Sequence, residues 1–81
     1  MRMVCISKKK DIAVGLRLAG VQSFAIKDND EIRKKVRELA KDENVGIINV
    51  TEEVYEAIKD ELDKISETQE LPLIVMIPNS K

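Results

Sequence analysis

Four short apolar runs alternate along the chain with three segments in which apolar residues recur at helical spacing. Met3-Val4-Cys5-Ile6, Ser23-Phe24-Ala25-Ile26, Val45-Gly46-Ile47-Ile48-Asn49-Val50 and Leu73-Ile74-Val75-Met76-Ile77 read as strands. The last two are rich in β-branched residues and lack polar alternation, which predicts strands covered on both faces, as in a parallel sheet. From Asp30 to Lys41 the apolar set Ile32, Val36, Leu39 and Ala40 falls on one helical face, with Arg33, Lys34, Lys35 and Arg37 on the others. Asp28 and Glu31 have the spacing of a capping box. From Glu52 to Ile65, Val54, Ile58, Leu62 and Ile65 form a second stripe, and Thr51 is the natural N-cap, with Glu52 and Glu53 well placed in the first turn.

The segment from Asp11 to Ala19 is different. Ile12, Ala13, Val14, Leu16, Leu18 and Ala19 go nearly all round the helix, leaving Arg17 as its one charge after Asp11, the expected cap. Its "GLRLAG" run from Gly15 to Gly20 raises the question of a phosphate loop. A P-loop requires Lys and Ser/Thr next, and Val21 and Gln22 stand there; the dinucleotide pattern fails because Arg17 replaces its middle glycine. Gly20 instead suits the left-handed residue that closes a helix, and Gly15 a close approach to the sheet.

Strand–helix alternation with right-handed crossovers predicts one α/β domain over residues 1–81: a four-stranded parallel sheet in the order 2-1-3-4, flanked by helices, flavodoxin-like or Rossmann-like. Ligands of such folds lie beyond the strand carboxyl ends, where this chain offers Ser7 and Lys8, Lys27 and Asp28, Asn49 and Thr51, and Pro78 and Asn79. A phosphoryl receiver needs an acidic pair after the first strand and an acceptor Asp ending the third. Ser7, Lys8 and Thr51 supply neither. The Lys8-Lys9-Lys10 loop and the acidic residues of the last helix read as solvated faces.

Composition narrows the function further. There is no histidine among 81 residues, which removes His-based triads, acid–base pairs and the commonest zinc sites. Cys5, the single cysteine, reads as a small core hydrophobe. A net charge of −1 gives no field to gather nucleic acid, and no apolar run has the roughly 18 to 20 residues that cross a bilayer. A cytoplasmic, non-catalytic domain is expected, with no catalytic residue, metal, cofactor or small-molecule ligand.

Three stretches in register, "GLRLAGV", "ENVGIINVTEEV" and "LPLIVMIP", resemble the F subunit of the archaeal/vacuolar-type rotary ATPase. The resemblance covers most of the chain. Ser7-Lys8 stands where that family often has Gly-Asp, Leu16 where it usually has Phe, and the family's C-terminal helical tail is absent. The resemblance implies a non-catalytic rotor component of the central stalk, peripheral to the membrane, held by the coiled-coil D subunit and working with the catalytic head. The alternative is a stand-alone flavodoxin-like domain that binds a small ligand or acts as a degenerate receiver. Partner contact is expected from the first helix and the strand carboxyl ends, at Leu16, Arg17, Lys8, Thr51 and Asn79.

Overall fold

The computed structural model describes residues 1–78, apart from the side chain of Leu16. Its elements run β1 (Arg2–Ser7), α1 (Lys10–Leu18), β2 (Gln22–Ala25), α2 (Asn29–Lys41), β3 (Val45–Thr51), α3 (Glu52–Ala57), α4 (Lys59–Thr68) and β4 (Leu73–Ile77). The strands form one parallel sheet in the order β2-β1-β3-β4, as the alternation predicts. In register, Ile6 lies between Phe24 and Val50, and Ile48 lies between Val4 and Ile74.

The main core occupies one face of this sheet. Val4, Ile6, Ile48 and Val50 project into it and meet Ile32, Val36, Leu39 and Ala40 of α2, then Val54, Ile58, Leu62 and Ile65 at α3 and α4. Both helical stripes are buried where the sequence pattern puts them, and full burial of each large aliphatic side chain contributes about 1.5–3 kcal/mol. Asp28 caps α2 by accepting from the Glu31 amide at 3.0 Å. Thr51 caps α3 by accepting from the Val54 amide. Two arginine–carboxylate contacts then tie α2 to α4: Arg33 forks onto Asp60, and Arg37 donates to Glu61 at 2.7 Å.

The opposite face carries α1 alone, over β1 and β2, where Cys5, Ser7, Ser23 and Ala13 are buried. Four expectations change here. The stripe from Val54 to Ile65 belongs to two helices, because Ile58 leaves helical geometry at φ −131 and ψ 33 while its side chain stays fully buried. The strand β4 is not covered on both faces: it is the sheet edge beyond the reach of α1, so Leu73 (53% exposed) and Val75 face out, and Met76, on the core side in register with Val50, is also exposed. Helix α1 begins at Lys10, so Asp11 lies in its first turn and accepts from the adjacent Ile12 amide instead of capping from outside. Gly15 does not mark a close approach, since a Cβ there would meet nothing within 4 Å. Gly20 does close α1 in the left-handed region, at φ 88.

Candidate functional site

The carboxyl ends of β1 and β2 open beside the first turn of α1. The loop after β1 is shaped by Ser7, whose hydroxyl donates to the Lys9 carbonyl at 2.9 Å and turns the chain into the helix. Arg17, almost two turns along α1, reaches across to edge strand β2, and its Nε and Nη2 both donate to the Ser23 carbonyl. That strand pairs only with β1, so the arginine satisfies a carbonyl the sheet leaves open.

These elements enclose an open concavity of about 460 Å³ lined by Lys8, Lys10, Arg17, Ala25 and Lys27. Its lining contains cations and no carboxylate. Among the described residues, Lys8, Lys10, Arg17 and Lys27 form no ion pair, whereas Arg2, Arg33 and Arg37 each meet an acid elsewhere. The expected residues Lys8 and Arg17 therefore come together. Leu16 lies on α1, but its side chain is outside the description, and Asn79 is outside the described residues altogether.

Thr51 does not present a contact surface. Its side chain is 2% exposed and is committed to capping α3, because β3 is a central strand and the chain turns back at once beneath its neighbours. Lys27, expected with Lys8 at the strand carboxyl ends, joins the site, and so does Lys10, which opens α1 although the sequence reads it as part of a solvated loop. Val14 and Leu18 do not line the concavity but flank it: with Lys10 and Arg17 they follow an i, i+4, i+7, i+8 spacing on α1, and Leu18 is 86% exposed. That mixed stripe was the available signal, obscured by a helix whose apolar residues run nearly all round.

The arrangement offers binding and no evident reaction. No cluster of three or more His, Cys, Asp or Glu side chains suited to a metal occurs among the described residues. Burial pushes the Cys5 thiol above its ordinary pKa, and the side chain is 1% exposed, so the reactive thiolate is disfavoured. The smaller groove between α2 and α4, about 170 Å³, includes Arg37 and Glu61, already paired with each other. No helix of the described residues is long and apolar enough to cross a membrane.

Comparison with known proteins agrees with the fold. A family model described as ATP synthase (F/14-kDa) subunit matches residues 3–81. The F subunit of the A-type ATP synthase of Methanocaldococcus jannaschii is 38% identical over 71 residues, covering 86% of this chain and 67% of that protein. The F subunit of the V-type ATP synthase of Fusobacterium nucleatum is 31% identical over 81 residues, covering 100% of this chain and 75% of its own length. Among solved structures, the crystal structure of the V-type ATP synthase's F subunit from Archaeoglobus fulgidus superposes with a TM-score of 0.76 at 23% identity, covering 94% of this chain and 95% of that one.

Proposed function

Because the chain belongs to the ATP synthase (F/14-kDa) subunit family, and so to a non-catalytic subunit of A/V-type rotary ATPases, we propose that it works in the central stalk. In this reading it is held by the coiled-coil D subunit, turns with it, and contributes to coupling ATP synthesis or hydrolysis to ion transport. It sits on the cytoplasmic side as a peripheral component, near the catalytic head but without a nucleotide of its own. The match across residues 3–81 is the observation that carries this reading.

The physical construction supports it. A rotor accessory needs a stable body and an outward binding surface, and here the body is the core between the sheet and α2, α3 and α4. Helix α1 is the element least used for that core, with Ala13 its one buried residue among those described. Lys8, Arg17 and Leu16 are the partner contacts we assign. Nucleotide chemistry has no support from the glycine pair, because Gly20 sits at the carboxyl end of α1, where the helix dipole opposes an anion.

The test is co-purification of the 81-residue chain with the coiled-coil stalk subunit, alongside phosphate release from ATP by the chain alone. Stable recovery with the stalk subunit and no phosphate release are expected. A chain that stays monomeric beside the stalk and head subunits overturns the assignment, and so does hydrolysis that tracks the purified protein.

A further inference from the structure

Resting on the stalk-docking reading, we propose that the cationic concavity and the outer stripe of α1 together receive an acidic amphipathic helix of the partner. Apolar side chains of that helix rest on Val14 and Leu18. Asp and Glu side chains along its border meet Lys8, Lys10, Arg17 and Lys27.

The first argument is charge. Between Ser7 and Lys27 the chain has a single acid, Asp11, and it accepts from its neighbouring Ile12 amide; the concavity is lined by four cationic side chains and Ala25. On the other side of the sheet α3 and α4 carry Glu52, Glu53, Glu56, Asp60, Glu61, Asp63 and Glu67 against Lys59 and Lys64, an acidic excess that outweighs the net positive charge of α2, two of whose cations, Arg33 and Arg37, pair with Asp60 and Glu61. The molecule is therefore polarised across the sheet, and the α1 side attracts acidic surfaces and repels basic ones. Such a field raises association rates and selects the orientation of an incoming partner.

The second argument is shape and apolar content. Lys10, Val14, Arg17 and Leu18 lie along one flank of α1, with Val14 between the two cations and Leu18 just past Arg17, so charge and apolar surface alternate along a line matching the repeat of a second helix. Val14 is 46% exposed and Leu18 more so, which leaves apolar surface for a partner to remove from water. Arg17 is already held by its two bonds to the Ser23 carbonyl, so presenting its remaining edge requires little further ordering. The exposed apolar side chains of β4 belong to a strand, Leu73–Ile77, that itself carries no charged residue to specify an occupant.

The experiment measures affinity and association rate between this chain and the coiled-coil stalk subunit of the same complex, at about 50 mM and about 300 mM NaCl, where screening differs severalfold. Wild-type affinity is expected to fall about tenfold or more at the higher salt, chiefly through slower association. The double variant Lys10→Glu/Lys27→Glu is expected to lose about 30-fold or more at low salt, and Leu18→Ser to weaken binding at both salts with little change in salt dependence. Lys34→Glu on α2 is expected to leave affinity unchanged, and circular dichroism on every variant separates lost contacts from lost fold. Salt-independent wild-type binding that the double variant retains overturns this inference alone. If wild type fails to bind at either salt, the stalk-docking reading falls and takes this inference with it.

Discussion

Arg17 and Ser23 are joined by two hydrogen bonds to one acceptor: Nε at 3.1 Å and Nη2 at 2.7 Å from the Ser23 carbonyl. The contact fastens the lone helix of one face to the edge strand beneath it. Arg17→Ala is expected to destabilise the fold by about 1–3 kcal/mol, because it removes a charged donor pair and leaves a part-buried carbonyl without its partner. Urea denaturation of the variant checks this. A midpoint equal to wild type would show that α1 is held by packing alone.

The two glycines of α1 and its end should respond in opposite directions. Gly20 has φ 88, so Gly20→Ala places a Cβ in the left-handed region and is expected to destabilise by about 1 kcal/mol. Gly15 has helical neighbours and open space at its Cβ position, so Gly15→Ala is expected to stabilise by about 0.5–1 kcal/mol. Paired thermal melts decide both signs; a shift in the same direction for the two variants contradicts the assignment.

Ile58 holds the junction of α3 and α4. Its amide donates to the Val54 carbonyl at 3.2 Å, its carbonyl accepts from the Leu62 amide at 3.1 Å, and its side chain is fully buried between the helices and the sheet. Truncation to alanine is expected to cost about 2–5 kcal/mol, combining lost burial with the cavity left behind. A loss below about 1 kcal/mol would mean that the junction collapses freely around the smaller side chain.

Acid should loosen the α2–α4 contact. Hydrogen bonding from Arg33, reinforced by its charge, holds the Asp60 carboxyl below its ordinary 3.8. A carboxylate with a depressed folded-state pKa adds stability above its unfolded-state value, and that contribution fades as pH falls through the lower folded-state value. Asp60→Asn should therefore be less stable than wild type near neutrality and converge with it in strong acid. Its surface position keeps the effect small and sensitive to salt. A difference that grows on acidification runs against the expected sign.

The strand–helix alternation, the parallel sheet and both buried helical stripes were already written in the chain's local periodicity, though not the break that divides the second stripe between α3 and α4. Side chains such as Ile32, Val36 and Leu39 fall on one face in any helix, and four strands separated by crossovers have few ways to pair. The left-handed turn at Gly20 was legible for the same local reason, since only its own backbone and position after the helix are involved. The partner surface was legible only in pieces. Periodicity states which side of an element is apolar, not which side receives a covering layer, so only the assembled layers left one face of β4 uncovered, turned Val14 and Leu18 outward and sealed Thr51 beneath α3. Likewise, Lys27 meets Lys8 and Lys10 because the crossover through α1 returns the chain beside β1. The strand alternation already placed Lys8 and Lys27 at one end of the sheet, whereas the single concavity they share with Lys10 and Arg17 exists only once α1 has packed on the paired strands.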